Sequence, residues 1–394
     1  MRKWMIGAAA MAASGAAMMA SAAPVPQGPP NTPEQKPAFA GQTRAPMMKS
    51  TVAFEVETVA RGLSKPWGVD FLPDGRMLVT EKTGALRIVG KDGKLSGPVP
   101  GVPAVDARGQ GGLLDVGVKG STVCLTYAEP RGDGMTGTAA YCATPPRTGA
   151  FSMAGGKVVF RQNPAWPNNK HFGSRLVFAR DGNLFITTGE RSDPEPREYA
   201  QNLDATLGKV VRVTMAGAPA PGNPWAKAGG TRAQIWSYGH RNLQAAALDA
   251  SGKLWTVEHG PRGGDELNAP QAGKNYGWPV ITYGEEYSGK PVGAGITAKA
   301  GMEQPVYYWD PVIGPSGMVF YSGNAFPAWK GSAFVGGLVT KGLVRLSING
   351  GKVVGEERFD MGARIRDVVQ GPDGFLYALT DEENGKLLRV RPKK

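Results

Sequence analysis

The chain has 394 residues, 41% of them hydrophobic, enough to bury a substantial core. With 57 glycines, 32 prolines and few long apolar periodic stretches, it reads as many short strands joined by turns, in one large all-β domain. The formal net charge of +12 comes from Lys and Arg spread along the whole length rather than from basic blocks, which argues against a nucleic-acid partner.

Met1-Arg2-Lys3, an Ala/Met-rich apolar run and Ala20-Ser21-Ala22 follow the order of a secretory signal peptide, so residues 1–22 are expected to be removed. That run is short for a membrane span and no later segment approaches about 20 apolar residues, so no integral membrane segment is expected after cleavage. Residues 23–50 are rich in Pro, Gln, Asn and Thr with little to bury, and are expected to form a flexible tether. The folded domain is expected over 51–394, in the periplasm or secreted.

Cys124 in CLTYA and Cys142 in AAYCA stand symmetrically about Gly132-Asp133-Gly134, the pattern of a hairpin. Facing each other across it in an exported protein, they are expected to form a disulfide; two buried thiols are the alternative.

Four segments share a turn followed by an apolar strand: LPDGRMLVTE around Gly75, ARDGNLFITTGE around Gly182, DASGKLWTVEHG around Gly252 and GPDGFLYALTDE around Gly374. Their glycines lie 107, 70 and 122 residues apart, which fits two, one and two units of roughly 50–70 residues. Six such units after the tether predict a six-bladed β-propeller; a β-sandwich seldom needs so many strands.

The three histidines, His171 in NNKHFGSRLVF, His240 in SYGHRNLQ and His259 in EHGPRGGDELN, form no HxxxH, HxH or Cys-His zinc signature. Each sits among cations, amides or carboxylates in loops beside short strands, the composition of a polar site at a propeller mouth. No GxGxxG opens a βαβ unit, so no nicotinamide site is predicted.

SYGHRN, EHGPRGGDELN, GKNYGWP and RIRD, in this order and together with GQGGLLDV, HFGSRLVFARDG and GPSGMVFY, resemble the soluble PQQ-dependent glucose and aldose sugar dehydrogenases, also called sorbosone dehydrogenases. The resemblance covers nearly all the chain after Val52. It implies an oxidoreductase that uses pyrroloquinoline quinone (PQQ) and Ca2+ to oxidise the anomeric hydroxyl of aldose sugars to lactones, passing electrons to an external quinone or cytochrome.

The resemblance places His171 as the catalytic base, with Arg241 and Asn242 against the quinone oxygen, where a fixed guanidinium stabilises the charge that hydride arrival creates. It gives Gln110, Arg364 and Arg366 the remaining cofactor contacts, the arginines at alternate strand positions forking onto carboxylates. The carbonyls of Gly260 and Pro261 ligate calcium in this scheme. For Arg241 a structural salt bridge is the plain alternative, for the RIRD arginines a solvated strand face, and for Gly260-Pro261 a simple turn. Asp265 and Glu266 either bind a metal or cap the turn.

Three positions depart from the family pattern. Val339 stands where a PQQ-contacting lysine is expected, beside Thr340 and Lys341, and whether Lys341 replaces it is open. Ser174 replaces a frequent glycine, and Leu243 the usual proline after HRN. A propeller that has lost PQQ and binds sugar or protein, and a calcium-dependent lactonase, are the rival readings.

Overall fold

The structure, a computed structural model, describes residues 22–146 and 148–393. The expected signal peptide therefore lies, but for its last residue, outside the described residues. No helix among them is long and apolar enough to cross a membrane.

Six small antiparallel sheets form a six-bladed β-propeller. Each blade begins with a strand on the central axis: Pro66–Phe71, Leu113–Lys119, Gly173–Phe178, Leu243–Leu248, Pro315–Phe320 and Ile365–Gln370, each touching the next around a closed ring. Blade 1 has three strands, and the others four. The outermost strand of blade 6 is the first of the chain, Phe54–Leu63, which pairs with the last, Gly385–Pro392, so the two ends of the domain lock the ring and no blade is left to close it.

The four repeats are the first hairpins of blades 1, 3, 4 and 6, which accounts for their spacing of two, one and two blades. The second strands they contain, such as Met77–Glu81 and Leu184–Thr188, are buried at every position, because a blade is covered on both faces by its neighbours. One apolar cluster fills each of the six blade interfaces; between blades 4 and 5, for example, Trp255, Val257 and Leu267 meet Met318, Val335 and Val344. Each large side chain so buried contributes about 1.5–3 kcal/mol.

Charged groups tie the inner strands together. Arg175 of blade 3 reaches Asp115 of blade 2 at 3.0 Å and Asp367 of blade 6 at 2.9 Å, and donates to the carbonyl of Arg366. Asp115 also accepts from Leu176 N, and Asp367 from Val69 N, so each carboxylate fastens its strand to the following blade.

Cys124 and Cys142 lie opposite one another in the hairpin of Thr122–Pro130 with Thr136–Ala143 and are joined by a disulfide, as expected from their symmetry about the turn.

The tether expectation for residues 23–50 is corrected in part. The segment lies along blades 4 and 5: Asn31 and Thr32 donate four hydrogen bonds to the Asp310 carboxylate, Gln42 and Ala45 are buried, and Met47 bridges to Glu356. Composition missed this because hydrogen bonds hold the segment alongside only two buried apolar side chains, Val25 and Ala45.

Candidate active site

In every blade the axial strand starts at one end of the ring and the second strand, running antiparallel, finishes there. Residues just before the first strand and just after the second therefore converge on one mouth. That geometry collects His171, Arg241, Asn242, Arg364, Arg366 and Gln110 from four blades around one cleft of about 280 Å³, the same six that the sequence singled out. It also brings Trp67, Lys82, Gln244 and His259, which the sequence reading did not assign a role.

His171 is buried and sits at φ 46°, its N–H donating to Gln110 Oε1 at 2.8 Å. Its Nδ1 lies 2.7 Å from Glu190 Oε2. An ionised carboxylate accepts only, so Nδ1 carries the proton and Nε2 is left with its lone pair. Burial holds the imidazole below its ordinary range against the Glu190 charge, with Arg241 and Arg191 pushing the same way as burial. Burial alone would raise Glu190, but His171 and Arg241 outweigh it and the carboxyl stays below its usual range. A neutral histidine oriented by a carboxylate has the lone pair and the orientation that a general base requires.

Glu190 was missed at the level of sequence, although a signal for it existed. The four repeats end in an acid six to eight residues after their glycine: Glu81, Glu190, Glu258 and Asp381. All four act at the mouth. Glu81 accepts from Ser64 N, Glu258 from His240 Nδ1 and Arg241 N, and Asp381 pairs with Arg364 and Arg366. The acids around the cleft are thus variants of one blade feature.

The backbone around His171 is strained. Ser174 at φ 88°, Arg191 at φ 76° and Ser192 at φ 70° occupy the left-handed region. The φ of Ser174 gives the physical reason for glycine at that position, since only glycine enters this region without a Cβ clash.

Arg241 donates from Nη1 to His259 O at 3.1 Å and stacks over Trp278, while its buried Nε has no partner. Asn242 Oδ1 accepts from Gly173 N. Arg366 donates to Asp381 and to Gln244 Oε1, and Arg364 to Asp381 and Leu338 O. His259 is held down at about 3 by burial and by Arg241, His171 and Arg366, so it is neutral. His240 is a structural residue, fully buried between Ser237 Oγ and Glu258 and stacked on Tyr276.

The cleft thus presents Lys82, Arg241, Arg364 and Arg366 with no carboxylate on its lining. An orphaned guanidinium nitrogen and an excess of cations beside the Trp67 ring fit a flat polycarboxylate such as PQQ.

Gly260 and Pro261 do not line this cleft. Gly260 borders a separate void of about 10 Å³ behind Arg241 and His259, together with Glu258 and Glu266. Asp265 caps the turn: its carboxylate accepts from the backbone N–H groups of Gly260, Ile313 and Gly314. Glu266 differs, its one hydrogen bond coming from Asn268 Nδ2, and burial beside Glu258 drives it well above the carboxylate range. A half-buried acid with so little compensation fits a hard cation ligated by oxygens. Among the described residues no cluster of three or more His, Cys, Asp or Glu is arranged to hold a metal, so a cation here would draw mainly on backbone carbonyls.

A sequence model of the family described as Glucose / Sorbosone dehydrogenase matches residues 63–389. The aldose sugar dehydrogenase of Escherichia coli (strain K12) is 46% identical over 353 residues, 86% of this chain and 93% of that protein. The crystal structure of the soluble aldose sugar dehydrogenase from Escherichia coli in the apo-form superposes with a TM-score of 0.82 over 86% of this chain and 100% of that one, at 46% identity. The PQQ-bound form of the aldose sugar dehydrogenase from Streptomyces coelicolor superposes with a TM-score of 0.69 at 27% identity, over 87% of this chain and 100% of that one.

Proposed function

The chain belongs to the glucose/sorbosone dehydrogenase family, and from that premise we propose that it is an exported, PQQ- and calcium-dependent dehydrogenase that oxidises the anomeric hydroxyl of aldose sugars to the lactone. The observation that carries this reading is the Glu190–His171 pair opening onto a cationic cleft lined by Arg241, Asn242, Gln110, Arg364 and Arg366. The PQQ-bound relative from Streptomyces coelicolor supports the choice of cofactor. The Cys124–Cys142 disulfide supports an oxidising compartment, the periplasm or the exterior.

Arg364 and Arg366 hold cofactor carboxylates, and Gln110, Arg241 and Asn242 hold its remaining acceptors. When bound, PQQ would supply the two-electron acceptor for the hydride that leaves C1. His171 Nε2 removes the proton of the anomeric hydroxyl as that C–H bond breaks, so the C1–O bond becomes the lactone carbonyl and no water is consumed. Glu190 keeps the proton on Nδ1 and stabilises the imidazolium that results. The fixed charge of Arg241 favours the negative charge that develops beside it. Gly260 and Pro261 carbonyls, with Glu266 alongside, are the ligands we assign to calcium. An external quinone or cytochrome then takes the two electrons.

The test is dye-linked oxidation of several aldoses by apo-protein, with PQQ and calcium added separately and together, beside His171→Ala. Activity that requires both additions and is lost in the variant is the expected result. No oxidation of any aldose and no PQQ binding would replace this reading with a binding propeller.

A further inference from the structure

Lys82 has no assigned role, yet its side chain stands in the wall of the cleft. It lies just after the second strand of blade 1, Met77–Glu81, where blade 3 carries Glu190 and blade 6 carries Asp381. Blade 1 thus places a cation at the mouth one residue beyond its own acid.

The loop Gly109–Gly112 is wrapped around this lysine. Lys82 Nζ donates to Gly109 O at 2.8 Å, and Leu113 N donates to Lys82 O. Gly112, at φ 125°, approaches so closely that a Cβ there would sit 2.2 Å from Lys82 O. Gln110, between those glycines, holds the His171 backbone, so Lys82 is braced by the same loop that braces the base.

Arg364 and Arg366 share Asp381. Lys82 has only a carbonyl, and burial lowers its ammonium, with Arg366 adding repulsion. On the far side of those arginines, Val339 is 56% exposed and uncharged, and Lys341 is exposed and off the cleft. Blade 5 therefore offers no cation to the cleft, and blade 1 does.

We propose that Lys82 is a cofactor-contacting residue of this chain, its ammonium engaging a carboxylate of bound PQQ from blade 1. This rests on the quinoprotein reading above.

The experiment titrates PQQ, and separately its trimethyl ester, into apo-protein by calorimetry, comparing the wild type with Lys82→Met, Lys82→Arg and Lys82→Met/Val339→Lys. Thermal melts confirm that each variant is folded. Lys82→Met is expected to weaken PQQ by about ten- to hundred-fold, the worth of one charge-assisted hydrogen bond, and to leave the ester unchanged. Lys82→Arg and the double variant should recover most of the loss. Equal weakening of acid and ester would assign Lys82 to loop structure, and unchanged PQQ affinity would overturn the proposal outright. Wild-type protein that binds neither compound would instead overturn the quinoprotein reading.

Discussion

Glu190 Oε2 lies 2.7 Å from His171 Nδ1, and both side chains are buried. The contact selects one tautomer of the imidazole, and a second carboxylate bond, from Ser192 N, keeps Glu190 in place. Glu190→Gln retains the shape and removes the charge that stabilises the imidazolium. It is expected to lower kcat at least tenfold while leaving PQQ affinity within about twofold, as a positioning residue should. An unchanged kcat would show that His171 works without it.

With His171 as the base of the proposed reaction, the same pair should determine the acid limb of activity. Burial, Arg241 and Arg191 hold His171 below its ordinary value, so the midpoint of the acid limb of kcat/KM should lie to the acid side of an ordinary histidine. Glu190 opposes this depression, so the limb of Glu190→Gln should move further to the acid side. Profiles of kcat/KM against pH for the two proteins check the sign, and a limb moving towards neutrality would contradict it.

Arg175 balances two buried carboxylates from different blades. Replacing it with methionine leaves both uncompensated and should cost about 3–5 kcal/mol near neutral pH. Asp115 is already pushed up to about 6 by burial despite Arg175, so in the variant both acids rise further. A folded-state value above the unfolded one of about 4 means that the native state binds more protons in the interval between them. Stability is then lost as pH rises through it, and the penalty should be smaller at pH 5 than at pH 8 in urea melts.

The Cys124–Cys142 bridge closes a loop of 18 residues within blade 2. Its removal by Cys124→Ser/Cys142→Ser should lower stability by about 3 kcal/mol, chiefly by freeing the unfolded chain. Denaturation of the oxidised and double-serine proteins measures it, and dithiothreitol should destabilise the first alone.

Deleting residues 23–50 strips four donors from the Asp310 carboxylate. The truncated protein should melt several degrees lower while keeping its PQQ affinity, because the segment lies on blades 4 and 5, away from the cleft lining. An unchanged melting temperature would return the segment to the role of a free tether.

The fold was legible in the sequence because a propeller repeats its turns, and Gly75, Gly182, Gly252 and Gly374 mark four of the six first hairpins. Blades 2 and 5 were silent. Blade 2 turns through Gly120 without the shared grammar, and blade 5 inserts a short helical turn at Pro327–Trp329 between its first two strands. The disulfide was legible for a similar local reason, since antiparallel pairing about one turn brings equidistant residues together.

For the site, the family resemblance carried by local motifs named six cleft residues, and the chain alone determined which side chains were available to it. The ring closure decided what they meet. Glu190 meets His171, and Asp381 meets Arg366, across the turns of their own hairpins, but Lys82 reaches Gly109 from a different blade, 27 residues away with no shared turn. Likewise the contacts from Asn31 and Thr32 to Asp310 span almost 280 residues. These partners depend on where each blade ends relative to its neighbours, which is settled by apolar packing between blades, and no segment encodes that on its own.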